Sequence, residues 1–151
     1  MNSNGDPIKI LLVEDNEDHI ELTKRALSEN GLANDMYTVK DGQEALDFLW
    51  RKGKYIDKAK SPRPGLILLD VKLPKVDGFE VLRHIKEDPD LKLIPVIMLT
   101  TSSREEEIVK GYENGANSYV TKPVDFREFV DRIKNIRLYW ILVNSLPSMI
   151  E

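Results

Sequence analysis

Short aliphatic runs alternate along this chain with longer segments in which apolar residues recur every three or four positions. The runs are typical of buried strands, and the recurring pattern is typical of amphipathic helices. Strands are predicted at residues 8–13, 35–40, 66–70, 94–100 and 117–121. Helices are predicted at 17–30, from the Asp41-Gly42 turn onward, at 78–88, at 104–114 and, as a long last helix, from residue 125 onward.

This order of elements, in which a helix follows each strand, favours a doubly wound α/β fold. A parallel sheet covered by helices on both faces needs strands that are apolar on both sides, and the runs IKILLV and LILL meet that need. The chain has 151 residues, enough for one domain with its own core. Ligands of such sheets bind outside the carboxyl ends of the strands, so functional residues are expected there.

Polar side chains with matching chemistry stand at those strand ends. The first strand ends in Glu14 and Asp15, the third in Asp70 and the fourth in Thr100, while the fifth runs into Lys122. Three carboxylates held close together repel one another, and a hard divalent cation relieves that repulsion. Oxygen ligands without His or Cys suit Mg²⁺ better than Zn²⁺. Such a site, with a nearby lysine and hydroxyl, suits a phosphoryl group accepted by Asp70 as an acyl phosphate.

The amino-acid composition excludes several other kinds of site and indicates where in the cell the protein is expected. The chain has no Cys, which excludes disulfides, thiolate zinc sites and a cysteine nucleophile and fits a reducing cytoplasm. Its formal net charge is −4, which disfavours direct binding of nucleic acid. The N-terminal MNSNGDP lacks a basic segment and no apolar run approaches about 18 residues, so neither a secretion signal nor a membrane span is predicted. The expected location is cytoplasmic.

The motifs around these strand ends resemble the receiver domain of two-component response regulators. They are ED after the first strand, LLDVKLPKVDG, MLTTSS and SYVTKP, and the resemblance spans roughly residues 8–138. It implies a flavodoxin-like sheet of five strands in the order 2-1-3-4-5. It also implies one receiver domain over 1–151 with a C-terminal extension at 139–151, and a sensor histidine kinase as the partner that donates the phosphoryl group.

The resemblance assigns a metal-binding role to four residues. Asp70 becomes the phosphorylated aspartate and, with Asp15, a direct ligand of Mg²⁺. Glu14 acts on the metal mostly through water, and Lys72 contributes its backbone carbonyl. The side chain of Lys72 could also pair with Glu14 or the phosphoryl group, or limit the access of water to the acyl phosphate.

The resemblance also assigns the residues that respond to the phosphoryl group. Thr100 becomes the switch hydroxyl, Lys122 the phosphate-binding lysine and Tyr119 the aromatic switch residue. Pro123 sets a turn that is often built around a cis peptide bond.

Each of these residues has a purely structural explanation as well. Glu14 or Asp15 could cap a helix, although Asn16 or Glu17 could do so equally. Asp70 could end a strand, Thr100 could be an ordinary strand residue, Lys122 a surface lysine and Tyr119 an edge residue. His19 and His84 are predicted to lie within helices without a functional role, and Glu105, Glu106 and Glu107 form the acidic first turn of a helix.

Three other functions remain to be weighed. A phosphatase of the haloacid-dehalogenase type also places an Asp at a strand end, but it generally needs a second Asp two residues later, where this chain has Lys72. A relay intermediate and a receiver that only binds partners are the remaining alternatives. The preferred interpretation is a phosphoacceptor switch whose only chemistry is its own phosphorylation and dephosphorylation.

The last helix and one long loop depart from a minimal receiver. The helix carries an apolar stripe that one sheet cannot cover, which predicts a homodimer through Phe126, Phe129, Ile133, Ile136 and Trp140. Alternatively, residues 138–150 fold back onto their own core. The basic, proline-ended loop at 50–64 and the long tail resemble the small response regulators paired with phytochrome-like and other sensor histidine kinases.

Overall fold

Five parallel strands form one sheet, in which the second strand of the chain lies at one edge and is followed by the first, third, fourth and fifth. The structure is a computed structural model that describes residues 9–30, 35–110 and 118–133. The strands are β1 (Lys9–Val13), β2 (Asp35–Val39), β3 (Leu66–Asp70), β4 (Val96–Thr100) and β5 (Ser118–Thr121). The predicted doubly wound sheet and its strand order are confirmed.

Helices connect the strands in the predicted sequence. They are α1 (Glu17–Ser28), α2 (Gly42–Trp50), α3 (Gly78–Glu87), α4 (Ser103–Lys110) and α5 (Phe126–Ile133). The predicted strands and helices also include residues 8, 111–114, 117 and 134 onward, which lie outside the described residues. None of the helices in the described ranges is both long and apolar enough to cross a membrane.

The three inner strands, β1, β3 and β4, are largely apolar because helices cover both faces of the sheet. Every residue of β3 and β4 is buried. Successive residues of β1 point to opposite faces: Ile10 packs in a cluster that contains Phe129 of α5, and Leu11 packs in a second cluster that contains Leu82 of α3. The uninterrupted aliphatic runs therefore reflect two separate core layers.

The predicted fourth strand begins two residues later than expected. A short 3-10 turn over Leu91–Leu93 precedes it, and Pro95 has no N–H to donate to a ladder. The carbonyl of Pro95 still accepts a hydrogen bond from the backbone of Ile67, so the segment enters the sheet just ahead of β4.

A close approach of backbones fixes the end of β3. A Cβ atom on Gly78 would lie 2.1 Å from the backbone oxygen of Asp70, so only glycine fits there. The N–H of Gly78 donates to the carbonyl of Val71 at 3.0 Å, and Asp77 caps α3 through the N–H of Phe79. The DG pair thus holds the start of α3 against the strand that carries Asp70.

The loop between α2 and β3 packs against α2 instead of extending freely. It contains a 3-10 turn at Gly53–Tyr55, and the ring of Tyr55 meets Phe48 edge-on at 5.1 Å between centroids. The Tyr55 hydroxyl donates to Glu44 at 2.5 Å, and the Ser61 hydroxyl donates to the carbonyl of Tyr55 at 2.7 Å.

Candidate functional site

Three carboxylates meet at the carboxyl edge of the sheet. Glu14, Asp15 and Asp70 each offer an oxygen, and these oxygens lie within 4.8 Å of one another. Glu14 is fully buried and Asp70 is 5% exposed, whereas Asp15 is open to solvent. The parallel register of β1 and β3 brings the ends of the two strands side by side, which explains why residues far apart in sequence meet here.

Lys122 lies between the two buried carboxylates. Its ammonium is 2.9 Å from Oε1 of Glu14 and 3.0 Å from Oδ2 of Asp70, and its side chain is only 6% exposed. The backbone N–H of Lys122 donates to the carbonyl of Thr100 at 2.7 Å, and the Lys122–Pro123 peptide bond is cis. One positive charge therefore faces two buried negative charges, with Asp15 adding a third at the surface.

This imbalance of charge appears in the pKa values of the site. Burial, together with the negative charge of Glu14, raises the pKa of Asp70 to about 7 although Lys122 opposes the change. Burial lowers the pKa of Lys122, but its bonds to Glu14 and Asp70 outweigh that effect and leave the pKa raised. The site holds more negative charge than its own lysine balances.

The donor set fits a hard divalent cation. Three carboxylates converge on one point, part of the set is accessible through Asp15, and the excess negative charge would be neutralised by a cation of charge two. Lys72 contributes its backbone N–H to Oδ1 of Asp70 at 3.3 Å. The role of its carbonyl as a ligand stays a prediction.

Thr100 places a buried hydroxyl at the end of the neighbouring strand. The residue is fully buried, and within the part of the chain that the structure describes its Oγ1 has no hydrogen-bond partner. A buried hydroxyl without a partner carries a desolvation cost of about 1–3 kcal/mol. A hydrogen-bond acceptor that enters the site next to Thr100 would relieve this cost.

The side chain of Lys72 pairs with a residue that the sequence did not single out. The side chain is 83% exposed and its ammonium lies 3.6 Å from Oε2 of Glu105, so Lys72 pairs with Glu105 and not with Glu14, which was one of the alternatives. Glu105 is buried, and its other oxygen accepts the backbone N–H of Thr101 at 2.8 Å. This contact links the loop after Asp70 to the loop after Thr100, which spacing in the sequence alone cannot reveal.

Tyr119 lies half-buried on β5 under two cationic side chains. The guanidinium of Arg132 is 4.4 Å from the centre of the Tyr119 ring, and the ammonium of Lys110 is 5.9 Å from it. These contacts join β5 to α4 and α5. The switching role of Tyr119 stays a prediction.

His19 belongs to the site, contrary to the sequence analysis. Asn16 caps α1 by accepting the N–H of His19 at 3.0 Å, so neither Glu14 nor Asp15 is the cap. This cap places the imidazole in the first turn, where Nδ1 lies 3.0 Å from the ammonium of Lys122. His84 instead pairs with Glu80 on α3 at 3.6 Å.

Two of the proposed interface residues pack within the chain itself. Phe129 is fully buried in the core cluster on the α1 and α5 face, so its inclusion in a dimer surface was wrong. It lies on the face of α5 that covers the sheet. Phe126 packs against the same cluster while remaining partly exposed. Ile136, Trp140 and the side chain of Ile133 lie outside the described residues.

The chain belongs to the family of the response regulator receiver domain, whose sequence profile matches residues 10–134. It is 40% identical to the response regulator Rcp1 of Synechocystis sp. over 149 residues, which cover 98% of this chain and 99% of Rcp1. Proteins of this family act as phosphorylation-driven switches that receive a phosphoryl group on aspartate from sensor histidine kinases, and they bind a divalent metal.

Solved structures give the same assignment. The bacteriophytochrome response regulator AtBRR is 45% identical with a TM-score of 0.83, covering 92% of this chain and 99% of AtBRR. The phosphorylated cyanobacterial phytochrome response regulator RcpA is 43% identical with a TM-score of 0.71, covering 90% of this chain and 95% of RcpA. The Mn²⁺-bound form of Rcp1 is 41% identical with a TM-score of 0.69, covering 89% and 95% of the two chains. The resemblance to phytochrome-associated response regulators is thereby confirmed.

Proposed function

We propose that Asp70 accepts a phosphoryl group from the phosphohistidine of a sensor histidine kinase. A carboxylate oxygen of Asp70 attacks phosphorus, the P–N bond of the phosphohistidine breaks, and the imidazole of the kinase leaves with the electron pair. The product is an acyl phosphate on Asp70. The observation that carries this proposal is the buried contact of Lys122 with Asp70, because the same ammonium is placed to hold an oxygen of the incoming group.

The cation that we propose for the acidic cluster is Mg²⁺. Asp15 and Asp70 would hold it directly, Glu14 through water, and Lys72 through its backbone carbonyl. When bound, Mg²⁺ would neutralise charge on the phosphoryl oxygens. The oxygen-only donor set supports a hard cation, and the relative Rcp1 has a Mn²⁺-bound form.

The response to phosphorylation would begin at Thr100. Its hydroxyl, which has no partner among the described residues, would donate to a phosphoryl oxygen, and the loop after β4 would move with it. This loop leads into α4, and Lys110 of α4 contacts the ring of Tyr119. Movement of the loop would therefore change the surface formed by α4, β5 and α5.

The chain is proposed to be a switch that acts on itself and has no other substrate. Its chemistry would be limited to its own phosphorylation and the later hydrolysis of the acyl phosphate. A haloacid-dehalogenase type of phosphatase would need a general acid where Lys72 stands, and that lysine pairs with Glu105 instead. We further propose one receiver domain over residues 1–151 with its core at about 8–138.

The proposed partners are a sensor histidine kinase and a second copy of this chain. A kinase of the phytochrome type is supported by the similarity to AtBRR and RcpA, which are a bacteriophytochrome and a cyanobacterial phytochrome response regulator. The homodimer would use the last helix, with Phe126, Ile133, Ile136 and Trp140 as candidates. Sedimentation showing a monomer at high concentration, with and without a phosphoryl mimic, would exclude it. Direct binding of nucleic acid is not expected at a net charge of −4.

The proposal is tested by the mass of the intact protein after incubation with acetyl phosphate and Mg²⁺. We expect a single phosphoryl adduct that requires Mg²⁺ and is absent from Asp70→Asn. Asp90→Asn, an exposed aspartate outside the site, serves as the matched control and should form the adduct normally. An adduct of equal yield on Asp70→Asn would contradict the proposal.

A further inference from the structure

The ammonium of Lys122 has three N–H groups, and the structure gives each of them a partner. Two go to Oε1 of Glu14 and Oδ2 of Asp70, at 2.9 and 3.0 Å. The third nitrogen contact is Nδ1 of His19 at 3.0 Å. A buried ammonium without a third acceptor would leave one donor unsatisfied, because the lysine side chain is only 6% exposed.

The geometry of α1 sets this imidazole in place. His19 lies three residues after the cap Asn16, so its side chain turns back toward the end of β1, where Glu14 lies. Oε2 of Glu14 is 3.7 Å from Nδ1, too far for a hydrogen bond, and Oε1 is already bonded to Lys122. Lysine cannot accept a hydrogen bond, so Nδ1 must be the acceptor and the ring proton must lie on Nε2.

We propose that His19 is a positioning residue that holds the ammonium of Lys122 through Nδ1 of a neutral imidazole. The hydrogen bond itself does not depend on the proposed function, but the role of that bond in phosphorylation rests on it. During phosphorylation Lys122 exchanges one partner, Asp70, for a phosphoryl oxygen. Glu14 and His19 keep the other two N–H groups occupied, so the third stays directed at the place beside Asp70 where the phosphoryl group arrives.

The position of the ring proton is a direct test. Long-range ¹H–¹⁵N correlation spectra of protein with labelled histidine distinguish the two neutral tautomers, and His19→Leu identifies the signals of residue 19. We expect the tautomer with the proton on Nε2 for His19. A proton on Nδ1 would overturn the inference, since that nitrogen could not accept from lysine.

Substitution then separates positioning from a merely structural role. His19→Leu should lower the maximal rate of phosphorylation by acetyl phosphate about 3- to 10-fold, the usual effect of one hydrogen bond, while half-saturation by the donor stays unchanged. His19→Asn offers an oxygen near the position of Nδ1 and should recover the rate to within about twofold. Since His19 is 38% exposed, both variants should fold.

His84→Leu is the matched control, a similarly exposed histidine on α3 that should leave the rate unchanged. Equal rates for His19→Leu and wild type, or no recovery in His19→Asn, would overturn the inference. Wild-type protein that forms no adduct but has the proton of His19 on Nε2 would contradict the phosphoacceptor role while supporting the bond to Lys122. Wild-type protein that forms the adduct but has the proton of His19 on Nδ1 would support the phosphoacceptor role and contradict the bond to Lys122.

Discussion

Two lysines lie next to Asp70, and the ammonium of each pairs with a buried glutamate, Glu14 for Lys122 and Glu105 for Lys72. The inner flank, formed by Glu14, His19 and Lys122, holds its lysine at 2.9 Å from Glu14 with 6% of the side chain exposed. The outer flank, formed by Lys72, Thr101 and Glu105, holds its lysine at 3.6 Å with 83% exposed. The same pair of residue types therefore has different strength on the two flanks, because solvent screens the outer pair.

The difference in burial between the two lysine–glutamate pairs indicates different roles for the two flanks. A buried, fully partnered ammonium keeps its position while the reaction proceeds, and its removal leaves uncompensated charges. An exposed pair contributes about 0–1 kcal/mol and can form or break as the loops move. The inner flank thus suits the chemistry at Asp70, and the outer flank suits a conformational response.

The largest effect is expected from Lys122→Met, which breaks the inner flank. Two buried carboxylates lose their only cationic partner among the described residues, so the free energy of unfolding without metal should fall by about 3–5 kcal/mol. The rate of phosphorylation should fall about 100-fold or more. Chemical denaturation and the rate of adduct formation measure the two effects.

Lys72→Met is the control for this variant, since it removes a lysine from the outer flank. It should change the free energy of unfolding by less than about 1 kcal/mol. Comparable losses for the two variants would contradict the distinction between the flanks.

A gain of stability is expected from Asp70→Asn in metal-free protein. The pKa of Asp70 is about 7 in the folded protein against an ordinary 3.8, so ionisation of this carboxyl opposes folding. The resulting loss of stability builds up as the pH rises from about 4 to 7 and is fully present above that range. Asp70→Asn removes it and should stabilise the protein by about 2–4 kcal/mol at pH 8.

Thermal unfolding at pH 4 and pH 8 checks this expectation. The stabilising effect of Asp70→Asn should be small at the lower pH and should shrink at pH 8 when Mg²⁺ is added, because the cation neutralises the wild-type carboxylates. A variant less stable than wild type at pH 8 without metal would show that Lys122 more than compensates the burial of Asp70.

A smaller effect is expected from Thr100→Val, which tests whether Thr100 carries the response from the site at Asp70 to the surface around Tyr119. Thr38 is the matched control, because its Oγ1 is also buried and lacks a partner among the described residues. Each Thr→Val change removes a buried hydroxyl that lacks a partner among the described residues, so both should stabilise the unphosphorylated protein by about 1–3 kcal/mol. Only Thr100→Val should reduce the NMR spectral changes that phosphorylation causes around Tyr119. Equal spectral changes in both variants would show that Thr100 has no role in the switch.

The smallest effect is expected within the outer flank itself. Lys72→Ala, Glu105→Gln and the double variant should give a coupling below about 1 kcal/mol in chemical denaturation. Lys72→Ala should also shorten the lifetime of the acyl phosphate about two- to threefold, because a side chain that bridges the two loops limits the access of water. An unchanged decay rate would exclude this role of Lys72.

The sequence was sufficient for the elements with the strongest patterns. The aliphatic run ending in Asp70 predicted β3 with its observed bounds, and parallel topology brought Asp70, Glu14 and Lys122 to one edge without any knowledge of distances. Strand ends were less secure where a local turn intervened, as at Leu91–Leu93 before β4.

Side-chain contacts between elements were beyond the reach of the sequence. His19 reads as an ordinary helical residue until Asn16 is known to cap the helix and turn the imidazole toward Lys122. Glu105 reads as one of several acids in a first turn until the approach of the β3 and β4 loops pairs it with Lys72. Phe129 belonged to an apolar stripe, but only the orientation of α5 decides which part of that stripe faces the core.

The central claim is that the phosphoryl group is bonded to Asp70, and the most direct test locates that bond. Protein treated with acetyl phosphate and Mg²⁺ is reduced with borohydride, which converts an aspartyl phosphate to homoserine, and its peptides are then sequenced by mass spectrometry. We predict homoserine at position 70 alone. Homoserine at position 15, or an unreduced adduct on another residue, would contradict the account.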